Sequence, residues 1–173
     1  MKDRLLITTP LESTWPSKNE PVLFLGEWCK LHSKKHLWLK MDSETVPYHW
    51  DDRKKLHKDF LDLIKFYEIL LEELSGKLNS LHGVDYSVRY WRIIVGPWLM
   101  AFVPIVYDRW ASLEIAISSY DISQTKVINY EELEPIPEDM LHFELLVKTD
   151  QWNHFIYSLI LKKSELLKII YIK

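Results

Sequence analysis

Leu56, Phe60, Leu63, Tyr67, Leu70, Leu74, Leu78 and Leu81 recur at spacings of three and four. That period is one apolar stripe of a helix of roughly 25 residues, ~38 Å long. Its remaining positions are largely Lys, Asp and Glu, so one face is wet and the other must be covered by a second layer. The stripe is preceded by VPYHWDDR, residues 46–53. A helix start needs a cap and one acidic residue; Tyr48, His49, Trp50, Asp51, Asp52 and Arg53 together supply far more chemistry than that. Asp51 or Asp52 caps the helix and complements its dipole, and His82-Gly83 ends it.

The remaining elements point to an α/β class. Arg4–Thr9 is a short apolar run with β-branched Ile7, Thr8 and Thr9, closed by Pro10, and Val22–Leu25 is a second run, closed by Gly26. Both read as buried strands. In open α/β sheets ligands gather outside the carboxyl ends of strands. Thr8, Thr9, Glu12, Ser13 and Thr14 follow the first run, and Glu27 and Trp28 the second. Residues 85–120 form a second helical region, capped by Asp85 or Ser87 and kinked or split by Pro97 and Pro104. Ser118–Gln124 reads as loop, Thr125–Asn129 as a third strand, Glu131–Asp139 as loop, and Glu138–Lys148 and Gln151–Lys162 as helices. The apolar tail SELLKIIYIK is expected to pack on this domain or on a segment outside the chain.

A length of 173 residues fits one domain, residues 1–173, with a real core. The net charge of -3 predicts no general electrostatic attraction to nucleic acid or to an anionic membrane. The longest apolar run, residues 93–107, falls short of the ~20 residues of a membrane span, which leaves at most peripheral membrane contact. One cysteine, Cys29, fits a reducing, cytoplasmic setting. Cys29 and the scattered histidines show no ligand spacing, so no metal is expected. Nucleophile-elbow, Walker and dinucleotide fingerprints do not occur.

Three constellations carry candidate chemistry, each beside a plainer reading. His49 with Asp51 or Asp52 is a general base with its orienting carboxylate, or a packed histidine beside two capping acids. Glu12 and Glu27, one after each strand, are a carboxylate pair, or two salt-bridged surface acids. Arg89 and Arg92, one helical turn apart, clamp an anion, or pair with acids from nearby loops.

The segments TTPLESTWP, EPVLFLGEWC, PYHWDDR, HGVDYSVRYWRIIVGPWL and DRWAS, in that order, resemble the N-terminal part of a transferase family of bacterial O-antigen and surface-polysaccharide gene clusters. The resemblance covers residues 4–118 and, more weakly, TDQWNHFIYSLIL. It implies a helix-rich, Rossmann-like acceptor-side domain, with a small parallel sheet and long helices, of a two-domain glycosyltransferase of the GT-B kind. The C-terminal domain and the nucleotide-sugar donor site would then lie outside this chain, which would be inactive alone. The implied reaction moves sugar from a nucleotide-sugar to a saccharide or lipid-linked acceptor at the inner face of the membrane, with no other cofactor. The motif positions are Glu12, Ser13, Thr14, Glu27, Trp28, His49, Trp50, Asp51, Asp52, Arg53, Arg89, Trp91 and Arg92. His49, Asp51 and Asp52 would serve catalysis, Arg89 and Arg92 phosphate, and Trp28 and Trp50 a sugar face. The alternative is a non-catalytic binding domain whose polar motifs hold domains together.

Overall fold

Arg4–Ile7 forms strand β1 and Val22–Phe24 strand β2 in the computed structural model, which describes residues 3–17, 19–129, 135–164 and 167–172. Leu5, Leu6, Ile7 and all of β2 are buried, which requires cover on both faces, the habit of parallel sheets. The two strands do pair in parallel, Leu5 with Val22 and Ile7 with Phe24. Ser43–Thr45 (β3) adds to β2, Ile122–Ile128 (β4) to the other side of β1, and Lys168–Ile172 (β5) to β4. The order is β3-β2-β1-β4-β5, every pairing parallel. This is the α/β, Rossmann-like sheet expected, and its winding reverses between β1 and β4.

Three strand readings change. The third strand in sequence is β3, a polar edge strand with no apolar run to announce it. The strand expected at Thr125 begins earlier, at Ile122, inside a segment read as loop, and it is the fourth. The apolar tail is β5, whose cover is β4: Gln124 pairs with Lys168 and Ile128 with Ile172. Part of the Glu131–Asp139 loop lies outside the described residues.

The chain divides into two compact units, one of Met1–Tyr48 with Arg109–Lys173 and one of His49–Asp108. The first holds the sheet, 3-10 turns at Glu12–Thr14, Glu27–Cys29 and His32–Lys34, α1 (Lys35–Trp38), α5 (Met140–Leu146) and α6 (Asp150–Ser164). Its core joins Leu5–Ile7 and Val22–Leu25 to Trp15, Cys29, Leu113, Tyr157 and Leu161.

The second unit is helical: α2 (Arg53–His82), α3 (Val88–Ile94) and the first part of α4 (Gly96–Ser119). Asp52 is the N-cap of α2, its Oδ1 accepting from the amides of Lys54 (2.9 Å) and Lys55 (3.2 Å). Gly83 ends α2 in the left-handed conformation, φ 64°, which favours glycine. Asn79 then builds the corner into α3: its Oδ1 accepts from the Tyr86 amide (3.1 Å) and from Trp91 Nε1 (2.8 Å). Ser87 caps α3. The split expected at Pro97 falls at Val95, where α3 and α4 bend by 72° and Pro97 enters the first turn of α4. Pro104 is accommodated within α4 without ending it. Tyr67 and Leu71 of α2 pack on Leu99 and Val103 of α4, and at Gly96 a Cβ would come 2.8 Å from Tyr67 Oη. Among the described residues, no single helix is long and apolar enough to cross a membrane.

Because Asp52 and not Asp51 holds the free amides of α2, Asp52→Ala should lower stability by about 1 kcal/mol. Asp51→Ala should change it by less than about 0.5 kcal/mol. Urea denaturation of the two variants checks the assignment.

Candidate functional site

The carboxyl ends of β1 and β4, the switch point of the sheet, are closed by one side chain. His154 of α6 is 1% exposed, and its Nε2 accepts the backbone N–H of Ile128 at 3.1 Å. Nε2 therefore carries no proton, and Nδ1–H is turned to the hydroxyls of Thr8 (3.3 Å) and Thr9 (3.4 Å). Burial holds the His154 pKa down at about 4, so the ring is neutral near pH 7. It is a clasp across the ends of two central strands. Sequence reasoning passed over it, although an imidazole between Trp152 and Phe155 on a buried helix face demands partners and so signals itself.

Beside this clasp, Trp28 Nε1 donates to the Thr8 carbonyl (3.1 Å), and its ring meets Tyr48 edge-on at 6.1 Å. Gly26 is needed here because a Cβ would overlap the Trp28 ring. Cys29 donates to the Ile7 carbonyl (3.4 Å), and burial pushes its thiol up to about 12, so it stays protonated and is no nucleophile near neutral pH. Lys34 bridges the Pro10 carbonyl (2.7 Å) and Glu12 Oε1 (3.0 Å). Burial raises the Asp150 pKa, and Lys34 opposes that shift.

Of the residues expected after β1, Glu12 and Ser13 are exposed on a 3-10 turn, while Thr14 is buried and donates to the Leu11 carbonyl (2.7 Å). Glu27 is exposed and paired with Lys30 at 2.8 Å. The pairing of both glutamates with lysines is the plainer of their two readings. Glu12 also lines a surface pocket of about 330 Å³ with Trp15, Asn19, Glu20, Lys40 and Asp42.

In the helical unit, VPYHWDDR supplies a short 3-10 turn, His49–Asp51, ahead of α2. The His49 side chain is fully buried, and its Nε2 lies 3.0 Å from Asp108 Oδ1. The carboxylate on His49 is therefore Asp108, from the DRWAS segment, where Asp51 or Asp52 was expected; Asp51 is exposed and Asp52 is occupied as the cap. Trp50 Nε1 donates to Asp59 (3.0 Å), and its ring stacks on Tyr107 at 6.2 Å. Lys55 also bonds Asp59 and reaches Tyr107 Oη at 3.5 Å. Burial opposes charge on Lys55 and Asp59, but their mutual contact prevails, raising the lysine and lowering the aspartate. Tyr107 is raised, first by burial and then by Asp59.

Arg53 is exposed at the start of α2. On α3, Arg92 grips Glu68 with both nitrogens, at 2.7 and 2.6 Å, which raises the Arg92 pKa and lowers that of Glu68. Arg89 is exposed, with no hydrogen bond or ion pair among the described residues. An anion could thus meet Arg89 directly, but would have to displace Glu68 to reach Arg92.

The His154 clasp makes stability pH-dependent. Its folded pKa is depressed below the unfolded 6.5, so the unfolded chain binds more protons between pH 6.5 and 4. The contribution is complete above pH 6.5 and is lost as pH falls towards 4, up to about 3 kcal/mol. His154→Gln should flatten that part of the profile, which urea titrations at several pH values would read. In the helical unit, Asp108→Ala and His49→Ala should each cost about 2 kcal/mol, and the double variant less than their sum.

Residues 4–171 match the family model described as LIC12162 family transferase. No curated protein and no solved structure matches the chain. With its Rossmann-like parallel sheet and a match that runs from β1 into β5, the chain belongs to the LIC12162 family of transferases.

Proposed function

We propose that this chain is the acceptor-side part of a sugar transferase of bacterial surface-polysaccharide (O-antigen) synthesis, using a nucleotide-sugar donor and a saccharide or lipid-linked acceptor at the cytoplasmic membrane face. A separate C-terminal domain would carry the donor. The observation that carries the reading is the transferase-family match along a sheet of Rossmann order. The pocket beside Glu12 supports a saccharide occupant. Its carboxylates and the Asn19 amide suit sugar hydroxyls, and Trp15, Leu37 and Met41 offer apolar surface.

In this reading Glu12 and Ser13 contact acceptor hydroxyls, and Trp28 with Thr14 holds the loops that present them. Glu27 belongs to the same rim. In the helical unit, taken by itself, Asp51 is an exposed carboxylate able to accept a proton. His49, enclosed against Asp108, positions the turn that bears Asp51, and Asp52 and Trp50 fix that turn to α2. Arg89 and Arg53 are the guanidiniums open to phosphate, and Arg92 joins them where Glu68 is displaced.

A second reading, a non-catalytic interaction domain, is favoured by one observation: Asp59, Asp108 and Arg92 all find partners within the helical unit. A thermal-shift screen of saccharides and nucleotide-sugars separates the two. A sugar acceptor should raise the melting temperature by about 2–5 °C at concentrations well above its dissociation constant, and Glu12→Gln should abolish the shift. No shift with any saccharide, together with wild-type transfer to a lipid-linked acceptor by Glu12→Gln and Asp51→Asn when assayed with the donor-binding domain present, would sink the transferase-site assignment.

A further inference from the structure

The first half of α2 presents two neighbouring rows of side chains that face solvent along their whole length. Arg53, His57, Phe60 and Ile64 form one row at helical spacing, and Lys54, Lys58, Leu61 and Lys65 the other; all eight are exposed. Phe60, Leu61 and Ile64 are 57%, 46% and 44% exposed, although Phe60 belongs to the apolar stripe whose later member Tyr67 is buried. Leu61 and Ile64 lie beside the stripe, so the apolar surface left uncovered on this half of the helix is that of Phe60, Leu61 and Ile64, interleaved with its basic residues.

We infer that this face of α2 docks on an anionic lipid surface, with Phe60, Leu61 and Ile64 entering the headgroup boundary and Arg53, Lys54, Lys58 and Lys65 meeting lipid phosphates. The charge pattern selects this occupant. Asp62 pairs with Lys58 (3.1 Å) and Lys65 (3.3 Å), leaving Arg53 and Lys54 without an ion pair among the described residues. A second copy packed through the same patch would set these cations against each other. A nucleic acid would use the cations but leave three large apolar side chains in water. Mixed basic and apolar side chains along one helix face are what an interfacial helix requires, with Lys and Arg stems lying along the apolar surface. The inference does not depend on the reaction proposed above.

The test is co-sedimentation of the whole chain with phosphatidylcholine vesicles, with and without about one-third phosphatidylglycerol, at low and high salt. Binding is expected only to the anionic vesicles and to weaken with salt. Lys54→Glu with Lys58→Glu should cut the partition coefficient by about five-fold or more per charge. Phe60→Gln with Leu61→Gln and Ile64→Gln should cut it at least about ten-fold. Circular dichroism reports folding, and where the apolar variant unfolds, the charge-reversed variant and the salt series decide. Absence of binding to anionic vesicles, binding indifferent to both variants, equal binding to a DNA duplex, or a dimer in solution that the apolar variant dissociates would each overturn the inference.

Discussion

The structure depends on strand β1 having both edges and both faces covered. Leu5, Leu6 and Ile7 are at most 1% exposed, so every backbone donor and acceptor there must be matched inside the protein. One edge is matched by β2, the next strand in sequence. The other waits for β4, from which Thr125 Oγ1 reaches the Leu6 carbonyl across 119 positions of sequence. An entire helical unit is inserted before that partner arrives. The fold is therefore committed only when distant segments pair, and the His154 clasp sits where they do, joining Thr8, Thr9 and Ile128.

That clasp bears on how the switch point can act. In doubly wound sheets the reversal opens a crevice for ligands. Here a neutral, hydrogen-bonded imidazole occupies the ends of the two strands, while Glu12 and Ser13 stay exposed on the turn after β1 and Glu12 lines the surface pocket. The helical unit follows the same rule. His49, Trp50 and Asp52 are taken up by Asp108, Asp59 and the first amides of α2, which leaves Asp51, Arg53 and Arg89 facing solvent. A motif rich in chemistry turns out to be partly scaffold, and its exposed members are the ones able to touch a ligand.

The period of the α2 stripe, the cap at Asp52, the stop at Gly83 and the two apolar strands were legible because each depends on residues within one or two turns of chain. The edge strand Ser43–Thr45 was not legible, since an edge strand needs no apolar run and is made by the hydrogen bonds of its neighbour. The tail was legible as sticky but not as a strand, because only β4 tells Lys168–Ile172 what to pair with.

By itself, then, the sequence determined the α/β class, the long helix with its ends, and a set of polar segments too rich to be mere loops. Only the tertiary structure decided which carboxylate meets His49, that Arg92 is held by Glu68, and that His154 closes the switch point. The physical reason is the range of the forces involved. Periodicity, capping and turn chemistry act between near neighbours and are written in local order. The partner of a buried polar group is chosen by whatever the fold brings within about 3 Å, and that carries no trace in spacing along the chain.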